Sequence, residues 1–183
     1  MDFALNVWQT LVRAKVDKKH PWRVLTLATG GPDGPDARQV VLRGVNIEQR
    51  QITVYTDARS QKMAHIQHNP QVAMLFWDAR HQWQLRLWAK AEQEQNEATI
   101  EALWATIPEH ARKDYATLSA PGQPLPTEPK LPAELNFDQA RKHFVVLRFT
   151  VQRMDSLVLK REGHERMLLE WAHEQWLQTA LVP

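Results

Sequence analysis

The chain has 183 residues, enough for one domain with a sizeable buried core. Its 23 Lys and Arg residues and 21 Asp and Glu residues leave a formal charge of +2, which favours neither nucleic acid nor a membrane surface as a partner. The lack of cysteine excludes disulfides, thiolate metal sites and cysteine nucleophiles, and no signal peptide or membrane-spanning run is evident, so we expect a cytoplasmic protein.

The N-terminal part of the chain predicts one helix followed by antiparallel strands. Apolar residues at helical spacing predict a helix over Phe3–Ala14, and His20-Pro21 ends that region. Strands are predicted over residues 22–29, 38–45 and 52–56, with a tight turn at the glycine- and proline-rich residues 30–36. The second strand is expected to pair back on the first, and the third strand to pair with the second.

In the middle of the chain, the spacing of apolar residues changes from strand-like to helical and back to strand-like. Ser60–His68 predicts a short helix with Ser60 as its N-cap, and Asn69-Pro70 ends it. Val72–Trp77 is almost entirely apolar and predicts a strand buried on both faces. Strict alternation from Trp83 onward predicts a long strand with two different faces. Further helices are expected over residues 96–107 and from Pro108.

A proline-rich loop is expected over residues 118–143, because Pro121–Pro132 contains five prolines. Strands are then predicted over residues 144–151, 156–159 and 166–171. Strands outnumber helices, connections are short, and no βαβ alternation occurs. The pattern therefore predicts a mainly β fold, a closed antiparallel barrel with peripheral helices, in one domain covering residues 1–183.

Polar residues at strand ends and turns suggest a phosphate site. Arg38 opens a strand, whereas Ser60, Gln61 and Lys62 lie where a helix begins and where free N–H groups and the helix dipole favour anions. Arg, Lys and hydroxyl groups are the side chains that bind phosphate. The alternative is a capping Ser60 beside a solvated Lys62 and a surface Arg38.

The histidines give weaker signals. His65 and His68 lie three residues apart on the predicted helix, but no third ligand is evident, so we expect no metal site. His164 lies between Glu162 and Glu165 and is a candidate general base, although a turn histidine in a charged loop is the alternative. No nucleophile elbow, P-loop or dinucleotide-binding glycine motif is present.

The order of these elements resembles the pyridoxamine 5′-phosphate oxidase family, whose members are FMN-binding split β-barrels, and especially its smaller branch with an RxVVLRG strand. The matching segments are RxVVLRG (Arg38–Gly44), Tyr55-Thr56, SxK (Ser60–Lys62), NPxVAMLF (Asn69–Phe76), the Gln84 strand, KAE (Lys90–Glu92), HER (His164–Arg166) and the final LVP. No single segment is specific, but their order and spacing are. The resemblance covers most of the chain and matches the proline-rich loop poorly.

The resemblance implies FMN as cofactor and a homodimer with its sites between subunits. Arg38 and Lys62, with Ser60 and the neighbouring Gln61, would bind the phosphate. The strand Val40, Val41, Leu42 would run along the flavin ring, Tyr55 and Thr56 would lie beside the ribityl chain and phosphate, and Gln84 and Arg166 would bind near the ring. Because alternation puts Arg43 on the opposite strand face from Arg38, Arg43 would act near the substrate or the ring edge.

The chain also departs from the family pattern. Gln61 replaces an expected Arg, which weakens one phosphate contact. The substrate-phosphate clamp is missing from residues 102–111, which offer Ala102 or Leu103, Thr106 or Ile107, and His110 or Ala111. Glu162 replaces another expected Arg, and Ser156 an expected Trp.

Three functions remain open. The first is an FMN-dependent oxidoreductase acting on an unidentified small molecule, with Arg43 and His164 as candidate catalytic residues. The second is a true pyridoxamine or pyridoxine 5′-phosphate oxidase with a rebuilt clamp. The third is a non-catalytic flavin-binding carrier or sensor module. The missing substrate residues favour the first and third over the second.

Overall fold

The computed structural model describes residues 3–124 and 137–183. The strands are β1 (Val24–Gly31), β2 (Gly34–Val41), β3 (Gly44–Asn46), β4 (Gln51–Asp57), β5 (Gln71–Asp78), β6 (Trp83–Gln93), β7 (Phe144–Val158), β8 (Glu165–Ala172) and β9 (Gln175–Leu181). The α-helices are α1 (Phe3–Val16), α2 (Gln61–His68), α3 (Glu97–Ala105), α4 (Glu109–Arg112) and α5 (Phe137–His143), with short 3-10 helices at Pro21–Arg23 and Lys113–Tyr115.

All strand pairs are antiparallel, and the sheet runs in the order β2-β1-β5-β6-β7-β4-β3, with β8 and β9 continuing from β7. The two ends of this order, β2 and β3, are joined by only Leu42 and Arg43. The Leu42 N–H donates to Arg23 O beside β1 at 2.9 Å, and the Arg43 N–H donates to Thr53 O in β4 at 2.9 Å. The sheet therefore curls until its ends meet, which confirms the predicted split antiparallel β-barrel with peripheral helices.

The barrel encloses the main apolar core, to which α1 contributes Val7, Trp8 and Leu11. The alternation in β6 is confirmed, because Leu85, Leu87 and Ala89 are fully buried while the residues between them face outward. A smaller core lies outside the barrel, where α3 and α5 cover β4 and β7.

Several strand predictions were wrong. Residues 38–45 form no single strand, because β2 ends at Val41 and β3 pairs with β4. The predicted pairing of strand 52–56 with the second strand is confirmed only at the end of that strand, where Gly44 and Val45 of β3 pair with β4, whereas β2 has no ladder with β4. A tight turn was predicted over residues 30–36. The turn is confined to the link between Gly31 and Gly34, because these two glycines pair with each other in the β1–β2 ladder.

Other differences concern burial and length. β5 is buried on one face only, since Leu75 and Trp77 are 38% and 42% exposed. The strands predicted at residues 144–151 and 156–159 are parts of one strand of 15 residues that ends at Val158, and β9 was not predicted. The expected loop at 118–143 ends in α5, and its residues 125–136 lie outside the described part of the chain.

In the described ranges, 3–124 and 137–183, no helix is both long enough and apolar enough to cross a membrane.

Candidate functional site

Four of the predicted phosphate-site residues converge at one mouth of the barrel, and we call them the basic cluster: Arg38, Thr56, Ser60 and Lys62. Arg38 comes from β2, Thr56 from the end of β4, and Ser60 and Lys62 from the start of α2. Lys62 Nζ donates to Thr56 Oγ1 at 3.0 Å, and Thr56 Oγ1 lies 3.3 Å from Ser60 Oγ. Two separate segments therefore bring the cations Arg38 and Lys62 close enough to repel each other.

The electrostatics of the basic cluster favour an anion. Burial lowers the pKa of Lys62, and repulsion from Arg38 lowers it further, against weaker attraction from Asp57 and Asp36. The lowered pKa of Lys62 therefore reflects its burial first and the neighbouring cation Arg38 second. A bound anion would stabilise the ammonium form of Lys62.

Arg38 is held by three acceptors. Its Nη1 donates to Leu27 O at 3.1 Å and to Thr29 Oγ1 at 2.8 Å, and its Nη2 donates to the Asp36 carboxylate. The hydrogen bond from Arg38 lowers the pKa of Asp36. Since the Asp36 side chain is 43% exposed, this carboxylate can move away while the two contacts to β1 remain.

The start of α2 differs in detail from the prediction. Ser60 is the N-cap, but its hydroxyl donates to Asp57 O at 2.7 Å and does not cap the helix. Gln61 is exposed. Arg59, which the sequence did not single out, donates to both Asp57 carboxylate oxygens, at 3.0 and 2.7 Å. Burial acts to raise the pKa of Asp57, but these bonds outweigh it and lower that pKa.

Gln84 and Arg166 lie together, on the outer face of the sheet. Both pair with Leu157, so they occupy one row across β6, β7 and β8. Arg166 donates to the buried carboxylate of Asp155 at 2.8 and 3.1 Å, and Arg86 contacts the same carboxylate. Although burial acts to raise the pKa of Asp155, the hydrogen bonds from the two arginines lower it.

This outer row lies on the opposite sheet face from the basic cluster. Arg38 shares its strand face with Val40 and pairs with Leu27, both of which belong to the barrel core. Gln84 alternates with the core residue Leu85 and therefore points away from the core. Within one chain, the structure does not bring Arg38 and Gln84 to a common surface.

Arg43 and Tyr55 form a third location, which we call the tyrosine pocket. The Arg43 guanidinium lies 5.6 Å from the centre of the Tyr55 ring. The pocket has a volume of about 240 Å³, and its lining is Lys15, Arg23, Arg43, Tyr55, Thr106, Ile107, Pro108, Ala111, Asp114 and Tyr115. Tyr55 and Thr56 were predicted to act together, but alternation along β4 points Thr56 to the basic cluster and Tyr55 to this pocket.

The predicted ring-binding strand is an edge. β2 hydrogen-bonds to β1 on one side, and the described residues provide no ladder on the other side. Backbone groups near Val40 and Val41 are therefore placed where a planar ligand can meet them. Leu42 is fully buried and follows the end of the strand.

His164 is exposed on the turn between β7 and β8. Its Nδ1 accepts a hydrogen bond from the Lys160 N–H at 3.2 Å, which closes the turn. The residue also lines a cavity of about 360 Å³ that includes Ser156 and Arg166. Buried Ser156, where a Trp was expected, accepts a hydrogen bond from Trp83 Nε1 at 2.7 Å.

Sequence reasoning missed the supporting residues of these sites. Thr29 and His65 contact each other behind Arg38, and His65 was considered only as a metal ligand. Lys15 and Arg23 reach the tyrosine pocket from the N-terminal region. The period-2 alternation of β1 identifies Thr29 as inward-facing, but no sequence pattern places α1 beside Arg43.

The curled sheet and its peripheral helices define a split β-barrel protein. Residues 19–157 match the family model "Pyridoxamine 5′-phosphate oxidase". The chain therefore belongs to the pyridoxamine 5′-phosphate oxidase family.

Sequence relatives carry the name pyridoxine/pyridoxamine 5′-phosphate oxidase. The protein of Kineococcus radiotolerans is 40% identical over 89 residues, which cover 48% of this chain and 38% of the relative. The protein of Granulibacter bethesdensis is 35% identical over 122 residues, which cover 64% of this chain and 56% of the relative. The matched regions thus span less than two thirds of either relative.

Solved structures share the fold over almost the whole chain. A pyridoxamine 5′-phosphate oxidase-related, FMN binding protein from Nostoc punctiforme has a TM-score of 0.77 and 24% identity, covering 100% of this chain and 98% of that one. PhzG from Burkholderia lata, in complex with tetrahydrophenazine-1-carboxylic acid, has a TM-score of 0.73 and 18% identity, covering 98% of this chain and 91% of that one.

Proposed function

We propose that this protein binds FMN and is an oxidoreductase acting on a small anionic molecule. The observation that carries the proposal is the basic cluster, in which Arg38 and Lys62 converge from separate segments. The name of the similar Nostoc punctiforme structure, an FMN binding protein, supports the same cofactor. Bound FMN would supply the redox chemistry, while the protein binds and orients the reactants.

The hydrogen-bonding capacity of the basic cluster fits a phosphate group. A guanidinium has five N–H donors, and Arg38 makes three hydrogen bonds among the described residues, which leaves two donors. An ammonium has three, and Lys62 makes one such bond, which again leaves two. The start of α2 adds the positive end of a helix dipole. Gln61, exposed at that start, is a neutral additional donor.

We propose that a second copy of the chain completes each site. Gln84 and Arg166 face away from Arg38 within one chain, so all three can contact one ligand only if two chains contribute. The apolar side chains of Leu75 and Trp77 are exposed on the same outer face as Gln84 and suit burial between copies. In this homodimer, the edge of β2 near Val40, Val41 and Leu42 would meet the flavin ring.

The tyrosine pocket is proposed to receive the substrate. Among the described residues, it combines Lys15, Arg23 and Arg43 with a single carboxylate, Asp114, so it favours a ligand with negative charge. Burial lowers the pKa of Arg23, and repulsion from Arg43 lowers it further, as expected where cations crowd together. Tyr55 offers an aromatic face beside Arg43.

A second candidate function is oxidation of pyridoxine or pyridoxamine 5′-phosphate itself. The three cations of the tyrosine pocket favour this candidate, because they can replace the clamp missing from residues 102–111. Thr106, Ile107 and Ala111 do line the pocket but add no charge. A product assay with pyridoxine 5′-phosphate decides between this candidate and another anionic substrate.

The cofactor proposal is tested by FMN titration of the purified, flavin-free protein. We expect Arg38→Ala and Lys62→Ala each to weaken FMN binding by about 1.5–3 kcal/mol, roughly ten- to a hundredfold, because each removes charge-assisted hydrogen bonds. Lys18→Ala, which removes an exposed cation in a turn, is the matched control and should bind as the parent does. Unchanged affinity in both cluster variants would show that the phosphate lies elsewhere.

Turnover separates an enzyme from a flavin carrier. Anaerobic bleaching of the bound flavin by a reduced nicotinamide cofactor or by a candidate substrate would support the oxidoreductase. Stable flavin binding without reduction by any donor tested would favour the carrier or sensor module.

A further inference from the structure

A buried histidine lies directly behind the basic cluster. His65 is 3% exposed on α2, and its Nδ1 lies 3.1 Å from Thr29 Oγ1. Thr29 Oγ1 in turn accepts a hydrogen bond from Arg38 Nη1 at 2.8 Å. These three residues, from α2, β1 and β2, form a chain of hydrogen bonds that we call the relay.

We propose that His65 is a positioning residue that fixes the Arg38 guanidinium, through Thr29, in the orientation that binds a phosphate monoester. The proposal rests on the proposed FMN site, because it concerns how that site holds its phosphate. Nothing in the relay requires His65 to touch the ligand.

The hydrogen-bonding roles follow from the donors available. Arg38 can only donate, so the Thr29 hydroxyl must accept from it and keeps one hydrogen of its own to donate. In the proposed relay that hydrogen is donated to His65 Nδ1, which lies 3.1 Å from Thr29 Oγ1. The proposed relay therefore requires an unprotonated Nδ1 on His65, which the NMR measurement described below tests. When the Thr29 hydroxyl is oriented in this way, one of its lone pairs points toward Arg38.

Gly31 shows that the imidazole fits closely. A Cβ atom at Gly31 would lie 2.6 Å from His65 Nε2 and 2.9 Å from His65 Cγ, too close for any real contact. The ring therefore packs against the bare backbone of β1. At the adjacent Gly30, the nearest atom to an added Cβ is Asn69 Nδ2 at 4.0 Å, which is an ordinary contact.

The relay would keep Arg38 in the same direction if its acidic neighbour Asp36 moved away. Asp36 is half-exposed, but Thr29 is buried and its partner His65 is buried too. The contacts from Leu27 O and Thr29 Oγ1 occupy both hydrogens of Nη1. These contacts hold the remaining donors of the guanidinium toward the barrel mouth. Because the Arg38 side chain is already ordered there, binding a phosphate costs less conformational entropy.

The test measures FMN affinity in variants of the flavin-free protein. His65→Leu removes the acceptor, whereas His65→Asn retains an oxygen close to the position of Nδ1. Gly31→Ala displaces the ring without changing any relay residue, and Gly30→Ala is its matched control. We expect His65→Leu and Gly31→Ala to weaken FMN binding roughly five- to tenfold, the effect of one hydrogen bond, and the other two variants to stay near the parent.

Two further measurements distinguish a loss of Arg38 positioning from a general disruption of the protein by the His65 substitution. In an Arg38→Ala background, His65→Leu should have no additional effect on FMN affinity, because the group it positions is gone. Nitrogen NMR of the imidazoles in the parent, with His65 assigned by its loss in His65→Asn, should show an unprotonated Nδ1 before flavin is added.

The outcomes distinguish the two proposals. If Arg38→Ala weakens FMN binding while His65→Leu and Gly31→Ala bind as the parent does, the relay is overturned and the phosphate site stands. A protonated Nδ1, or equal effects of His65→Leu with and without Arg38, also overturns it. If neither Arg38→Ala nor Lys62→Ala changes FMN affinity, the proposed site itself fails and the relay fails with it.

Discussion

At the scale of single residues, Arg38 has both a permanent support and an exchangeable partner. It donates to the buried residues Leu27 and Thr29, whereas Asp36 reaches it from a half-exposed position on the same strand. An anionic ligand would have to compete with that carboxylate for the same guanidinium. In the proposed site, Asp36 would therefore oppose phosphate binding, both as a competitor and as a nearby negative charge.

We accordingly predict that Asp36→Asn strengthens FMN binding. Removing the carboxylate frees Arg38 Nη2 and eliminates one repulsive charge, so the dissociation constant should fall several-fold, and more at low salt. Asp33→Asn, in the exposed hairpin turn between β1 and β2, is the control for net charge. Weaker binding of FMN by the Asp36 variant would mean that Asp36 orients Arg38 and does not compete for it.

At the scale of elements, the C-terminal end of α3 is capped by the side chain of an arginine in α4. Arg112 in α4 donates through Nε to Ile107 O at 2.9 Å and through Nη2 to Trp104 O at 3.2 Å and Ala105 O at 3.3 Å. Its guanidinium also lies 5.1 Å from the centre of the Trp104 ring. One side chain thus satisfies the C-terminal carbonyls of α3 and fixes the wall of the tyrosine pocket.

We predict that Arg112→Met lowers the free energy of unfolding by about 1–3 kcal/mol, because charged hydrogen bonds to helix-end carbonyls are lost. Urea denaturation measures the change. Lys113→Met, which removes the neighbouring exposed cation, should shift the midpoint little. Equal effects of the two variants would show that loss of a surface charge, and not of the cap, is responsible.

The helices outside the barrel also enclose both tyrosines of the chain. Phe144 lies 5.0 Å from the Tyr55 ring and 5.5 Å from the Tyr115 ring, centre to centre. Burial raises the pKa of Tyr55 and raises the pKa of Tyr115 to about 12. Since the sequence contains only two tyrosines, no phenol in the folded protein should titrate normally.

Absorbance titration near the tyrosinate band is therefore expected to show no transition at the ordinary pKa of about 10 until the protein unfolds. Because the folded-state pKa is raised, the stabilising contribution is complete below pH 10 and is lost as pH rises toward 12. In Tyr115→Phe, the highest transition should disappear. A normal phenol titration in the folded parent would contradict the enclosed arrangement.

Sequence patterns predicted the elements whose signals are local. The Ser60 N-cap and the apolar spacing of Met63 and Ile66 located α2, and strict alternation located β6. The break between β2 and β3 was not predictable, because Val40–Val45 reads as one apolar strand and only barrel closure interrupts it. The exposure of one face of β5 was also not predictable, because Leu75 and Trp77 are apolar side chains of the kind that usually face a core.

The candidate site was predictable in part for the same reason. Arg38, Ser60 and Lys62 were selected by residue type and position, and the fold brings them together. The predicted pairing that was to bring them together holds only for β3 and β4, because four strands separate β2 itself from β4 in the sheet order and β2 approaches β4 where the sheet closes. Thr29 and His65 have no signature of their own, because their partnership depends on how α2 packs against β1.

At the scale of the whole molecule, the proposed site should be shared between two chains. We predict that Arg38→Ala and Gln84→Ala, each weakening FMN binding alone, complement each other when co-expressed. A mixed dimer would hold one site with both residues intact, which should restore parental affinity in one site per dimer. As the control, Arg38→Ala co-expressed with Lys62→Ala should give no intact site, because both residues come from the same chain.

Sedimentation of the parent protein should show a dimer, and Trp77→Glu, on the exposed face of β5, should shift it toward monomer. Monomeric parent protein that binds FMN at full affinity would contradict a shared site, as would lack of complementation in a verified mixed dimer.

The position of β7 has a consequence for how the chain folds during synthesis. This strand pairs with β4, β6 and β8, yet it begins at Phe144, about 50 residues after β6 ends at Gln93. At ribosomal rates of about 5–20 residues per second, β7 begins to emerge roughly 3–10 s after β6 and roughly 4–17 s after β4, and the edges of β4 and β6 that it will cover stay unpaired during these intervals. Early hairpins such as β1–β2 and β5–β6 can form at once, but the barrel closes only when its late central strand arrives, so this interval is when the nascent chain is most exposed to misassociation.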